Sequence, residues 1–449
     1  MEEQLTVHIE RMGQAGDGVG RAPDGRLVFV PQALPGETVE VQVTESHKTY
    51  LRARVQAWLS RSLERVEPVC PVYADCGGCT LQHWDYAAEA QYKWERVRQA
   101  LVRIAGLADP PLQPIRVAQN PWAYRNKGQF PVAGTAGDVR IGLFQRGTHR
   151  VIDVPACAIQ NTLINQVLAA VRDLANQSGI EPYEETRHTG ILRHVLIRTS
   201  RAVGQALVLL VAREDVPALQ KLAEAIYEQV PDVAGVGINI NPERTNRVLG
   251  HQTRVAAGAD SLRETLLGLT FRLSFTSFFQ VNPEQVEVLY QLALEGLEHN
   301  PDTVWDIYAG VGTLAALAAQ RARHVTAVEL HPAAVVDARD NMRLNGLDKR
   351  VEVIQGAAEA VMRDWAEKGR RPPDAVIFDP PRAGLKPEVI EALLVLKPRR
   401  LIYISCYPET LARDLKLLAS TYRLVRVTPV DMFPKTDHVE SCAILVRAE

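Results

Sequence analysis

The sequence predicts an α/β protein in three parts: a small all-β barrel, a central α+β domain, and a C-terminal domain built on a doubly wound, mostly parallel sheet. Three observations predict it. From about residue 276 strand-like runs alternate with helical stretches (DTVWDIY, GTLAALAAQ, VTAVEL, PAAVVDARDNMRLNG, then VEVIQG, DAVIFD and LIYIS), and a parallel sheet with crossover helices requires that alternation. The first 62 residues instead break short Val-rich runs with Gly, Asp and Pro, the punctuation of a tight-turned barrel. The chain has 449 residues, too many for one compact domain and suited to about three.

The barrel, residues 1–62, ends in a basic run, HKTYLRARVQAWLSRSLERV, at 47–66. It reads either as a structural barrel or as one whose charged face tracks an RNA backbone. The central domain, 63–275, opens with a cysteine-rich turn and a helical segment, YAAEAQYKWERVRQALVRIAGL, that Gly106 is placed to stop. Strands such as VLIRTS, QALVLLVA and VAGVGININ then mix with the helix VPALQKLAEAIYEQV. Residues 276–449 form the third domain.

Composition narrows the function classes. With 46% hydrophobic residues a packed core is assured, and a formal net charge of -2 excludes bulk electrostatic coating of nucleic acid. A local basic groove remains open. The N-terminal MEEQLTVHIERM lacks the apolar run of a signal peptide, and ALVLLVA at 206–212 is far too short to span a bilayer. A cytoplasmic, soluble monomer without membrane partners is expected. Six cysteines in such a chain read as metal-binding or catalytic rather than as disulfides.

The C-terminal domain holds a nucleoside-type turn. Asp306-Ile307-Tyr308-Ala309-Gly310-Val311-Gly312-Thr313 sits where a strand becomes a helix, and VTAVEL, the next strand, ends in Glu329. Gly310 and Gly312 let the backbone approach a ligand, and the acid suits a ribose diol. With no third glycine, the turn fits a nucleoside cofactor lacking a pyrophosphate, such as S-adenosylmethionine. A further strand ends in Asp379-Pro380-Pro381-Arg382, where two prolines fix the exit and the direction of Asp379. Cys406 follows LIYIS at another strand end, the edge where open α/β sheets bind ligands.

Cys70, Cys76 and Cys79 have the spacing C-x5-C-x2-C, and Cys157 stands downstream in VPACAIQ. Four thiolates make a cage for a 4Fe–4S cluster or a structural zinc, and spacing alone separates the two poorly.

Taken in order, the glycine-rich barrel, YRNKGQFPV (124–132), RGTHRVID (146–153), SFFQVNPEQ (277–285), DIYAGVGT, DPPRAGL, SCYPET and DMFPKTDHVE resemble the RNA uracil-C5 methyltransferases that make 5-methyluridine in ribosomal and transfer RNA. The resemblance spans essentially the whole chain. It implies a TRAM-like barrel that binds RNA, a Rossmann-like S-adenosylmethionine-dependent domain, and a helical segment at about 90–120 that packs with that domain. It implies Cys406 as a nucleophile adding to uracil C6, Glu440 as the base removing the C5 proton, and Gln280, Tyr308, Glu329 and Asp379 as cofactor contacts. It favours a 4Fe–4S cluster on Cys70, Cys76, Cys79 and Cys157 over zinc, and ribosomal RNA over transfer RNA as substrate. Because methyl transfer from a sulfonium moves no electrons, a cluster is expected to be a fold staple and not a redox centre. Departures are Tyr407, where the family usually has Asn after the thiol, Ala309 where Cys is frequent, and Ala357 where an acid is common.

Arg125, Lys127, Arg146, His149 and Arg193 are candidate RNA contacts as a group. Cys442, beside the base, reads as a buried structural thiol. The rival reading from another class is an iron–sulfur RNA-binding protein without catalysis. Tyr407 is the feature next to the chemistry that supports it; Gly310, Gly312, Glu329, Cys406 and Glu440 oppose it.

Overall fold

The structure is a computed structural model and describes residues 3–297 and 300–448. Residues 1, 2, 298, 299 and 449, within the expected first and last domains, lie outside the described residues. Strands β1 (Gln4–Met12), β2 (Gly18–Arg21), β3 (Leu27–Val30), β4 (Thr38–Ser46) and β5 (Tyr50–Ser60) close into a barrel in the order β1-β2-β3-β5-β4. Alternation in β1 and β4 sends Val7, Ile9, Val39 and Val41 inward, as the two-residue period of a strand dictates. Helix α1 (Tyr86–Arg103) follows the cysteine-rich loop, with Asp85 accepting the N–H groups of Ala87 and Ala88 as its N-cap.

The central sheet runs β12-β11-β10-β9-β6-β7-β8. Its elements are β6 (Lys127–Thr135), β7 (Asp138–Phe144), β8 (Val151–Asp153), α2 (Thr162–Ser178), β9 (Leu192–Ser200), β10 (Gln205–Ala212), α3 (Pro217–Gln229), β11 (Val233–Ile240) and β12 (Gln252–Gly258). One face packs under α2 and α3 through Val167, Leu168, Leu222 and Ile226. The other meets Leu262 and Phe275. The hairpin of β13 (Ser261–Leu266) and β14 (Leu269–Ser274) joins this face to the C-terminal core, into which it sends Leu266, Phe271 and Leu273.

The C-terminal elements are α4 (Pro283–Gly296), β15 (Thr303–Ile307), α5 (Thr313–Ala318), β16 (His324–Glu329), α6 (Pro332–Leu344), β17 (Val351–Gln355), α7 (Ala358–Glu367), β18 (Ala375–Phe378), α8 (Pro387–Leu396), β19 (Arg400–Ser405), α9 (Pro408–Leu418), β20 (Tyr422–Val430) and β21 (Glu440–Arg447). The sheet order is β17-β16-β15-β18-β19-β21-β20. β15 to β19 are parallel, while β21 inserts antiparallel between β19 and β20. That is the expected doubly wound α/β fold behind a closed barrel. Val286, Leu289, Leu314 and Met342 of α4–α6 cover one face. Met362, Leu393, Leu411 and Leu415 of α7–α9 cover the other, joined by Val97 and Leu101 of α1. Chain following α1 also lies along the sheet edge, Gln113 N–H donating to Val427 O at 2.8 Å and Arg116 N–H to Pro429 O at 2.9 Å. Among the described residues no helix is long and apolar enough to cross a membrane.

Candidate active site

The carboxyl ends of β15, β16, β18 and β19 meet in one place, because neighbouring parallel strands end level. After β15 the chain turns through Tyr308, a non-glycine residue at φ +71°, a conformation that costs about 1–3 kcal/mol and concentrates at functional sites. The Tyr308 and Ala309 N–H groups donate to Val328 O at 3.1 and 3.0 Å. Gly312 has φ +81°, and a Cβ there would meet Met342 Cε at 2.8 Å. At Gly310, φ is +56° and a Cβ would meet nothing within 4 Å, so the space over the turn is open. Glu329 closes the turn, its Oε2 accepting the Gly310 N–H at 2.9 Å and its Oε1 the His331 N–H at 2.7 Å.

Cys406 and Glu440 come together through the antiparallel insertion of β21. The paired register ends at Ser405 opposite Ser441; Cys406 and Glu440 are the next residues on the two chains, near enough that the Glu440 charge acts on the thiol. Glu440 is buried and its Oε2 has no partner among the described residues. Burial, then the charge of Asp379, pushes its carboxyl up to about 8 against the pull of Arg382. The Cys406 thiol is pushed up to about 11 by burial, then by Glu440 and Asp379, again against Arg382. Burial holds Asp379 at about 7. Its Pro-Pro exit packs on α9: Asp414 Oδ2 accepts from Leu385 N–H at 2.8 Å and from Tyr403 OH at 2.7 Å.

Sequence reasoning gave Asp306 no role, yet it completes this set. It is buried on β15, neither oxygen has a hydrogen-bond partner among the described residues, and burial, then Asp379, raises it to about 7. The Ala315 N–H pulls the other way without reaching hydrogen-bonding geometry. The available signal was an acid in the otherwise apolar DTVWDIY. Buried, unpartnered carboxyls call for a cationic ligand, and S-adenosylmethionine brings a sulfonium and an ammonium. These acids hold their protons to higher pH folded than unfolded, so the stability they contribute is full below about pH 4 and lost as pH rises through about 7 to 8. The melting temperature of the ligand-free protein is expected to fall between about pH 6 and about pH 9, while its rise on adding S-adenosylmethionine grows. Scanning calorimetry across that range checks both. Asp306→Asn is expected to flatten the pH dependence and weaken S-adenosylmethionine about tenfold or more, read by titration calorimetry.

Gln280 is buried. Its carbonyl accepts from Asn126 Nδ2 at 3.4 Å, and Asn282, the N-cap of α4, donates to Met432 O at 3.1 Å. Tyr407 is half-buried, with the Arg96 guanidinium 5.5 Å from its ring centroid. Ala357 N-caps α7 without a side-chain bond.

The cysteines share a neighbourhood without forming a ligand set. Cys157 and Cys79 pack in one cluster with Tyr124 and Trp122. Burial, then the charges of Cys157, Cys76 and Cys70, pushes Cys79 up to about 12. The Gly78 N–H donates to Cys76 Sγ at 3.4 Å, the kind of bond a cluster thiolate uses. Among the described residues, however, no three His, Cys, Asp or Glu side chains are grouped as a metal's ligands are.

The basic candidates separate. Arg193 is buried and spends its guanidinium on Asn241 O and Glu243 O at 2.6 and 2.7 Å, a structural duty in place of the expected RNA contact. Arg146 pairs with Asp17 at 2.9 Å and His149 meets Glu185 at 2.8 Å. Lys127, opposite Arg198 on the neighbouring strand, is pushed down to about 7 by burial and then by that arginine. A groove of about 1080 Å³ between barrel and α1 is lined by Arg11, Phe29, Tyr50, Arg52, Tyr92 and Arg96, and reaches Glu409 in the first turn of α9.

Comparison with known proteins agrees with this arrangement. Residues 86–448 match the tRNA (uracil-5-)-methyltransferase family and residues 3–56 match the TRAM domain. An uncharacterized RNA methyltransferase of Halalkalibacterium halodurans is 41% identical over 444 residues, covering 98% of this chain and 96% of the relative. One of Gloeobacter violaceus is 39% identical, covering 99% and 97%. The crystal structure of the Pyrococcus abyssi tRNA (uracil-54, C5)-methyltransferase with S-adenosyl-L-homocysteine superposes with a TM-score of 0.78 at 26% identity, over 98% of this chain and 100% of that one. Both matches extend through the site and across the barrel, and on them the chain belongs to the tRNA (uracil-5-)-methyltransferase family, as an S-adenosylmethionine-dependent enzyme that methylates uracil C5 in RNA.

Proposed function

We propose that this enzyme methylates a uridine of ribosomal RNA through a covalent bond between Cys406 and uracil C6, with Glu440 removing the C5 proton. The observation that supports it most is the proximity, at one strand end, of a thiol and a buried carboxyl with an unpartnered oxygen. Uracil C5 is a feeble nucleophile. Addition of the Cys406 thiolate at C6 moves the C5–C6 electron pair onto C5 and O4, giving an enolate. When bound, S-adenosylmethionine supplies a methyl group on a sulfonium, which C5 attacks. Glu440 then takes the C5 proton, the C5–C6 double bond re-forms, and the thiolate leaves.

The electrostatics fit this order of events. Burial and two neighbouring carboxyl groups hold the Cys406 thiol in its protonated form. Cationic cofactor charge beside those acids lowers the cost of the thiolate. Gln280, Tyr308, Gly310, Gly312, Glu329 and Asp379, with Asp306, form the cofactor pocket in this reading. The target uridine must leave its stack to reach Cys406, and the aromatic and arginine side chains of the barrel groove suit a single strand beside it.

Cys70, Cys76, Cys79 and Cys157 hold a 4Fe–4S cluster in the proposal, with zinc the alternative. Support comes from their shared neighbourhood and the Gly78 N–H. The thiols do not stand as a finished ligand set among the described residues, and methyl transfer from a sulfonium moves no electrons, so the cluster acts as a fold staple in this reading. Iron and acid-labile sulfide in anaerobically purified protein support it; zinc, or no metal, overturns it. The cluster pattern favours ribosomal RNA as substrate, whereas the Pyrococcus abyssi neighbour, a tRNA enzyme, favours the second reading, transfer RNA. Transfer of labelled methyl to unmodified ribosomal and transfer RNA, with the product nucleoside identified, decides. Label in 5-methyluridine from the ribosomal fraction is expected; label confined to transfer RNA overturns the substrate and keeps the chemistry.

A further inference from the structure

Residues 431–439 close β20 onto β21, and Val430 stands opposite Glu440, so this loop ends on the assigned base. It is polar yet buried: Asp431, Lys435 and Thr436 are all out of solvent. What holds it is one face of α1. Tyr86, Glu89 and Lys93 recur at helical spacing. The fully buried Lys93 ammonium donates to Glu89 Oε1 and Asp431 Oδ1, both at 2.7 Å, and to Phe433 O at 3.1 Å. A lysine has three donors, and all three are used. Tyr86 OH donates to the other Asp431 oxygen at 2.8 Å. Glu89 Oε1 also accepts the Lys435 N–H at 2.7 Å, and Glu89 Oε2 pairs with Lys435 Nζ at 3.1 Å. Lys435 itself is held at φ +67°.

Four buried charges in one place are a poor way to gain stability, since desolvation offsets most of their attraction. They are a good way to fix one loop in one conformation. Arg96, one turn further along α1, extends the same grip. It donates to Asp437 O at 2.8 Å and pairs with Glu409 at 3.2 Å, while stacking on Tyr407 next to the nucleophile. Helix α1 thereby touches both the base loop and the Cys406 turn.

We propose that Lys93 is a positioning residue for proton removal: it locks the 431–439 loop and so sets the Glu440 carboxylate against C5 of the Cys406 adduct. The proposal rests on the reading of Glu440 as the base. It is tested with full-length Lys93→Met and Glu440→Gln proteins and RNA carrying tritium at uracil C5. Tritium release, denaturant-stable protein–RNA adduct and S-adenosylmethionine affinity are measured. For Lys93→Met the expected result is release slowed about 100-fold, the cost of a small misplacement, methylated adduct accumulating, and cofactor affinity within about threefold of the parent. A parallel loss of binding, adduct and release, or release at the parental rate, overturns it. Should Lys93→Met fail to fold, Tyr86→Phe removes one bond to Asp431. It is expected to slow release about fivefold with adduct again accumulating, and an unchanged adduct-to-product ratio overturns the proposal. If Glu440→Gln releases tritium normally, the base assignment itself falls and the proposal with it.

Discussion

Cys406→Ala is expected to abolish methyl transfer, by at least about 10⁴-fold, while S-adenosylmethionine binds as before or slightly more tightly. Without the thiol there is no addition at C6 and so no route to electron density at C5. Cofactor binding survives because its pocket is assigned to the ends of β15, β16 and β18 and to Gln280. The Cys406 thiol is only half-buried, so the fold gives up little. A non-catalytic RNA-binding protein would be indifferent to the change. Methyl transfer and calorimetric binding on one preparation separate the two readings.

Glu440→Gln is expected to slow turnover by about 10²–10⁴-fold and, unlike Cys406→Ala, to trap protein on RNA. Addition and methylation do not need the base; elimination does. The adduct therefore accumulates carrying the labelled methyl and survives denaturing electrophoresis. The parent carboxyl, raised to about 8 by burial and Asp379, must be ionised to act. Turnover of the parent accordingly rises with pH through that region, less the amount by which bound cofactor charge lowers it, and the variant lacks this limb. Melting curves are expected to move the other way: glutamine removes an acid that costs stability as it ionises, so Glu440→Gln is the more stable protein at about pH 8.

Much of the fold was legible because alternation is a local signal. DTVWDIY, VTAVEL, DAVIFD and LIYIS became β15, β16, β18 and β19, and the turn at Gly310 and the acid at Glu329 met through a hydrogen bond. What was not legible depends on distant pairing. The proximity of Cys406 and Glu440 arises because β21 inserts antiparallel beside β19, and periodicity gives no register between strands so far apart. Glu89 and Lys93 have the spacing of an ordinary solvated helix pair; only the loop packed over them makes them buried. Arg193 looked like a surface cation until Asn241 O and Glu243 O claimed it. The strands β13 and β14 show one buried face by alternation, but nothing local says that the face belongs partly to the C-terminal core.

The central claim is the covalent step, and the most direct test is mass spectrometry of the protein after reaction with S-adenosylmethionine and substrate RNA bearing 5-fluorouridine at the target. Fluorine cannot be taken from C5 as a proton is, so the adduct has no exit. The expected product is a peptide containing Cys406 linked to a methylated fluorouridine nucleotide. Methylated RNA with no protein attached, or attachment at any residue other than Cys406, would contradict it.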